Sequence, residues 1–223
     1  MSASALPPVV AVGLLLRGRT VVVVGAGSVG TAKIEKFLSA GAQVRVIAPR
    51  AESLVHTWAD EGWVTWHRRA FTEADLDGAF LAVTATGLPD VDGAVFEACE
   101  ARHLLCNAAD DPAACSVHLL SQDQLGPVTL AVGTSGTAPG LTARLRAEAR
   151  SGLPEDVESL VETYGAIRRW LADVHAPGAA HVQRRGDVLR WLARQPWATL
   201  RLSEAELRER VADALTALDA RPA

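Results

Sequence analysis

Lysine is almost missing from this chain. Of 22 basic side chains only Lys33 and Lys36 are lysines, and the rest are arginines. The formal net charge is -4, so there is no general excess of positive charge to hold a nucleic acid. Cysteine is scarce too. Cys99, Cys106 and Cys115 stand seven and nine residues apart, so no CxxC pair exists for zinc or for thiol exchange. An odd cysteine count with no secretory leader predicts reduced thiols and a cytoplasmic protein. Long apolar runs are also absent. The run from Val9 to Leu16 has no basic leader before it and is too short to span a bilayer, so no membrane partner is expected.

What is present is an ordinary globular composition, with 49% apolar and 22% charged residues over 223 positions. That length allows one large or two small domains, each with a real core. Thirteen arginines against twelve acids after residue 140 predict a mixed, solvated surface there rather than a basic patch.

Residues 20–24, TVVVV, form a β-branched run of the kind buried on both faces of a parallel sheet. GAGSVG follows at 25–30, then a helical pattern from Thr31 to Ala40, then a strand over Gln43–Ala48. The alternation continues. Helices are predicted at 52–60 and 91–101, and strands at 64–67, 80–84 and 104–107, with a short acidic turn over 72–77. Strands alternating with helices give an α/β fold, a Rossmann-like doubly wound parallel sheet over residues 1–111. Residues 112–150 change character. Strands are predicted at 116–120 and 128–132, a polar loop at 133–140, and a helix over 141–150. From 151 to 223 only helices are expected, at 155–174, 181–195 and 203–219, broken by HAPGAA and by the Gln195-Pro196 step.

The chemistry-bearing motif is Gly25, Ala26, Gly27, Ser28, Val29 and Gly30, which matches GxGxxG. It follows a buried strand and opens a helix, the context that makes this pattern a dinucleotide fingerprint. The first glycine permits the tight turn, the second lets backbone approach a pyrophosphate, and the third lets helix and strand pack closely. The helix N-terminus supplies N–H groups for the phosphates. An acid that would bind the ribose hydroxyls is missing from the end of the second strand, which reads Ala48, Pro49, Arg50. Arg50 suits a 2′-phosphate or is a solvated surface group, so these residues leave NAD and NADP both open. The strand ending at Thr84 leads into Ala85 and Thr86, which would face the same crevice. Thr86 suits either a cofactor hydrogen bond or the shaping of its own turn.

Four blocks in order are similar to the precorrin-2 dehydrogenase family, which includes the dehydrogenase/ferrochelatase module of siroheme synthase. They are LRGRTVVVVGAGSVGTAKIEKFLSAGAQVRVIAP, AVTATGLPDVD, LLCNAADDP and LAVGTSGTAPGLTARLRAEARSGLP, together spanning about Pro8 to Leu153. The strand ending in "AP" at Pro49 is a habit of that family, whose cofactor is NAD. Gly87 stands where the family often has Asp, and Asp92 where it has Asn. CSVHLLS at 115–121 replaces a more usual "SF..PA" pattern.

The resemblance implies oxidation of precorrin-2 to sirohydrochlorin in siroheme biosynthesis, with a hydride passing to NAD. Cofactor contacts then fall on residues 25–30, Pro49, Thr84, Ala85 and Thr86. The family's catalytic aspartate falls on Asp110, whose bland alternative is a turn before Pro112. Thr134, Ser135, Thr137 and Arg144 become candidate contacts for the substrate's carboxylates, although the hydroxyls equally suit helix capping. The family dimerises through its middle region, and 112–150 is too small to close a core alone, so a homodimer is expected. Two further readings follow. The protein could also insert ferrous iron, as bifunctional members do, or it could be a non-catalytic NAD-binding regulatory module, suggested by the altered 115–121 segment. No metal site is predicted, and His118, His175 and His181 receive no role. Trp170, Trp191 and Trp197 are read as core anchors of the helical part.

Overall fold

The computed structural model describes residues 9–109, 111, 114–174 and 179–219. Asp110, Pro112 and His175 lie outside them. The chain forms two compact units. One runs to Leu120 and takes in Gly133–Pro139; the other takes in Ser121–Val132 and the chain from Gly140 onward. The residues of the 112–150 stretch therefore fall in both.

The first unit is built on five strands: β1 (Thr20–Ala26), β2 (Gln43–Ala51), β3 (Val64–His67), β4 (Leu81–Thr84) and β5 (Leu105–Ala108). Every pairing is parallel and the order is β3-β2-β1-β4-β5. The chain leaves β1 toward β2 on one side, then returns to lay β4 on the other. The order thus reverses between β1 and β4, the place where open α/β sheets bind ligands. Helix α1 (Ser28–Ser39), α2 (Ser53–Asp60) and α3 (Pro89–Glu100) fill the crossovers, and a 3₁₀ turn spans Glu73–Leu76.

The uninterrupted valines of β1 are explained by the two faces they serve. Val21 and Val23 pack with Ile34 and Phe37 of α1 and with Val55 and Trp58 of α2. Val22 and Val24 point the other way, to Val95, Ala98 and Cys99 of α3. Each such fully buried side chain contributes on the order of 1.5–3 kcal/mol, which the alternating faces collect on both sides of one strand.

The second unit holds an antiparallel hairpin, β6 (Ser121–Leu125) and β7 (Val128–Val132), joined at Gly126 and Pro127. Gly126 has a φ of 53°, in the left-handed region that two-residue hairpin turns need. Helix α4 (Pro139–Ser151) buries no residue. Helices α5 (Val157–Val174), α6 (Ala179–Ala193), α7 (Trp197–Leu200) and α8 (Glu204–Asp219) share one core. Leu160, Ile167 and Leu171 meet Val188, Leu192, Leu200, Leu207, Val211 and Leu215 in it. Steps of four and seven residues put the core positions of each long helix on one face.

Three expectations need correction. The strand predicted at 116–120 does not form. Ser116 and Val117 direct their N–H groups to the Cys106 carbonyl, while Val117 and Leu119 pack against the sheet's core. The strand begins instead at Ser121. The second strand runs on to Ala51 rather than ending at Ala48. Trp170 and Trp191 do border the helical core, but Trp197 is 52% exposed and is not among the residues that form or border it.

Candidate cofactor site

The three glycines between the end of β1 and the first turn of α1 do separate jobs. Gly25 has a φ of 98°, and a Cβ on it would lie 2.5 Å from the Ala85 carbonyl oxygen. A Cβ on Gly30 would lie 2.2 Å from the Gly25 carbonyl oxygen. Both positions are closed by the protein's own backbone. A Cβ on Gly27 would meet nothing within 4 Å. The turn is therefore glycine for internal reasons at its ends, and open to the outside at its middle.

Helix α1 begins at that open residue. Gly27 is its N-cap, no side chain caps it, and no acid lies in its first turn. The Thr31 N–H donates to the Gly27 carbonyl at 2.8 Å, so the N–H groups of Ser28, Val29 and Gly30 precede the first intrahelical bond. Ser28 and Val29 are exposed. A cradle without protein atoms, above uncapped N–H groups with no competing carboxylate, fits a pyrophosphate.

Across the switch point, the loop after β4 is held by Asp92 of α3. Its Oδ1 accepts hydrogen bonds from the Thr84 hydroxyl, from the Thr86 hydroxyl at 2.7 Å and from the Thr86 N–H at 3.4 Å. The Thr86 hydroxyl also accepts the Leu88 N–H at 3.0 Å. Thr84 is fully buried. These bonds put Thr86 into the shaping of its own turn. Ala85 sits between the threonines with its N–H on the Val24 carbonyl, which ties this loop to the end of β1.

At the end of β2, Ala48 is buried while Pro49 and Arg50 are exposed. One residue of β1, Gly25, opposes three of β2 here: Val24 pairs with Ile47, then Ala26 with Ala51. Pro49, which has no N–H, falls beyond the β3 pairing, which stops at Ile47. The residue after the strand is Glu52, an exposed acid four positions beyond Ala48.

β5 ends in a polar network. Asn107, buried, accepts a hydrogen bond from Lys33 Nζ at 3.2 Å and donates to the Val117 carbonyl at 3.0 Å. Cys115 Sγ receives the Ala108 N–H at 3.2 Å. Burial pushes the Cys115 thiol up, and the hydrogen bond with Cys99 together with burial pushes Cys106 up, so both stay protonated near neutrality. The fold thus joins Lys33 of the glycine-loop helix to the strand that leads to position 110. His118 is half-buried nearby in sequence.

The remaining predicted contacts divide between the units. In the first, the Thr137 N–H and hydroxyl both donate to the Thr134 carbonyl, and the Thr134 hydroxyl accepts the Ala138 N–H. Those hydroxyls serve their own turn. Ser135 sits at its corner with a φ of 50°. In the second unit Arg144 is exposed, 3.9 Å from Glu148, while Arg146 reaches the Gln122 carbonyl and Asp123 on β6. Among the described residues no three His, Cys, Asp or Glu side chains gather as a metal ion would need, and no helix is long and apolar enough to cross a membrane.

Comparison with known proteins agrees with this geometry. Residues 12–121 match a family model described as putative NAD(P)-binding. Siroheme synthase 1 of Pectobacterium atrosepticum is 37% identical over 153 residues, covering 69% of this chain and 32% of that protein. Siroheme synthase 1 of Yersinia enterocolitica is 35% identical over 170 residues, 76% of this chain and 35% of its own length. The chain thus spans about a third of the curated relatives it matches. Among solved structures, SirC, a precorrin-2 dehydrogenase, superposes with a TM-score of 0.70 at 24% identity, covering 93% of this chain and 99% of its own.

Proposed function

We propose, from the match of residues 12–121 to a putative NAD(P)-binding family model, that the chain oxidises precorrin-2 to sirohydrochlorin with NAD. The observation that carries the cofactor half is the glycine turn, closed by protein at Gly25 and Gly30 and open at Gly27. The substrate half rests on similarity to siroheme synthases over two-thirds of this chain.

In this reading the N–H groups of Ser28, Val29 and Gly30 bind the pyrophosphate, and the loop of Ala85 and Thr86 borders the other side of the crevice. NAD, when bound, supplies a hydride acceptor. The chain's own chemical task is to orient the macrocycle and to take a proton, which we give to Asp110. Ser135 and Arg144 are proposed contacts for substrate carboxylates; Arg144 suits them as a charged two-pronged donor. The thiols stay reduced in a cytoplasmic setting, in keeping with three free cysteines.

The assay is direct. Precorrin-2 and NAD, mixed anaerobically with the protein, should give the absorbance of sirohydrochlorin together with NADH. Cofactor binding without turnover would favour the regulatory module. Ferrous iron added to the product then tests chelation, read as siroheme formation above the rate without protein.

We also propose that the protein acts as a homodimer through β6 and β7. Among the described residues the hairpin has no third strand, and only Leu125 of its ten residues is buried. Exposed strand edges of this kind call for a partner. Light scattering at micromolar concentration should give twice the chain mass, and a monomer there would remove the proposal.

A further inference from the structure

The acid that a dinucleotide site uses for ribose is absent where the sequence pattern looks for it, at Ala48, but β2 does not end there. It continues through a bulge to Ala51, which pairs with Ala26 in the middle of the glycine turn. The next residue is Glu52. Its N–H donates to the Ala26 carbonyl at 2.9 Å, so its main chain is fastened directly to that turn. By register, the strand's true end brings an acid to the glycine turn that simple counting along the sequence misses.

The Glu52 carboxylate is not consumed by the fold. Glu52 is the N-cap residue of α2, yet its side chain makes no capping hydrogen bond. It is exposed, and the described residues give it no side-chain hydrogen bond or ion pair. An unspent carboxylate here can accept both hydroxyls of a ribose diol, and it repels a phosphate ester on the same carbon. Arg50, two residues earlier, offers the opposite preference. It lies within the bulge, between the paired residues Ile47 and Ala51, whereas the main chain of Glu52 is fixed to Ala26 itself.

We propose that Glu52 is the residue that binds the adenosine ribose hydroxyls and sets a preference for NAD over NADP. The inference rests on the NAD(P)-binding reading of this site. Calorimetric titration of the full chain with NAD and with NADP tests it, using the wild type, Glu52→Ala, Glu52→Gln and Arg50→Ala, with a thermal melt of each. The wild type should bind NAD more tightly. Glu52→Ala should weaken NAD about tenfold or more, as loss of hydrogen bonds to a charged group does. NADP binding should hold or tighten, collapsing the ratio while the melt stays unchanged. Glu52→Gln should keep part of the NAD affinity and lose the discrimination against NADP. Equal weakening of both cofactors, no change in either, or a preference that moves with Arg50→Ala instead would overturn the assignment. A wild type that binds neither cofactor would overturn the NAD(P)-binding reading itself, a result distinct from these.

Discussion

Gly25 and Ala85 come from different crossovers yet touch: a Cβ added to the glycine would lie 2.5 Å from the carbonyl oxygen of the alanine. The turn after β1 and the loop after β4 are thus packed backbone to backbone at the switch point. Nothing at Gly25 can grow without moving that loop. A Cβ on Gly27, two residues on, would point into open space. The fingerprint glycines therefore divide into those the fold requires and one that the fold leaves open.

Alanine substitutions should separate these roles. Gly25→Ala faces both a φ of 98° and a backbone clash, so it should cost at least the 1–2 kcal/mol of a left-handed residue and lower the melting temperature by several degrees. Gly30→Ala should behave similarly, through its contact with the Gly25 carbonyl. Gly27→Ala should melt like the wild type but lose NAD affinity by about tenfold or more, its methyl now occupying the cradle. Calorimetry and thermal melts check both halves. A Gly27→Ala protein with full NAD affinity would mean that the pyrophosphate sits elsewhere.

Asp92 governs the other side of the crevice. Among the described residues, all three hydrogen bonds to its carboxylate fall on one oxygen, Oδ1. Asp92→Asn keeps that acceptor and should retain NAD affinity within about twofold. Asp92→Ala leaves the buried Thr84 hydroxyl without a partner, which costs about 1–3 kcal/mol, and frees the Thr86 loop. We expect a lower melting temperature and weaker NAD binding. If Asp92→Asn is as impaired as Asp92→Ala, the negative charge matters rather than the acceptor geometry.

Much of the first unit could be read from the sequence because its signals are local. A β-branched run, a glycine turn and an amphipathic helix follow one another without a break, and β3 falls at Val64–His67 as expected. Two features could not be read because they depend on partners distant in the chain. The extension of β2 through Pro49 and Arg50 is drawn out by the pairing of Ala51 with Ala26. The segment at 116–120 has strand-like composition, but the Cys106 carbonyl and the Asn107 side chain claim its backbone. Hydroxyls present a similar limit: Thr84, Thr86, Thr134 and Thr137 are of the right type for ligand contact, and only the fold reveals that their own loops use them.

Acid should unfasten the turn before β4. Asp75 is buried and takes two hydrogen bonds from Arg69, at 2.5 and 2.7 Å, with the Thr72 N–H at 2.8 Å. The Arg69 guanidinium, followed by the Thr72 donors, holds the Asp75 carboxyl down to about 2 from an ordinary 3.8. A depressed carboxyl stabilises the fold fully above its unfolded value and loses that contribution as pH falls through the folded one. Asp75→Asn should therefore melt below the wild type at pH 7, and the gap should close between about pH 4 and pH 2. Melts across that range check it, and a gap independent of pH would show the carboxylate's charge to be immaterial.

The chain is held firmly up to the point where catalysis is proposed. Ala108 pairs with Thr84, and the Ala109 N–H donates to the Thr84 carbonyl at 2.9 Å. Asn107 is fixed by Lys33 and Val117. Asp110 comes next, itself outside the described residues. Asp111 contributes its carbonyl, which accepts the Ala114 N–H and the Cys115 thiol. Asp110→Asn should then keep the fold and NAD affinity but lose precorrin-2 oxidation by about 10²–10⁴-fold, the usual contribution of a general base. Asp111→Asn should do far less, because Asn shapes such a turn as well as Asp does. Single-turnover oxidation at saturating NAD separates the two. Equal rates for both variants, or full activity in Asp110→Asn, would move the proton acceptor elsewhere and make His118, half-buried just past the same turn, the next residue to replace.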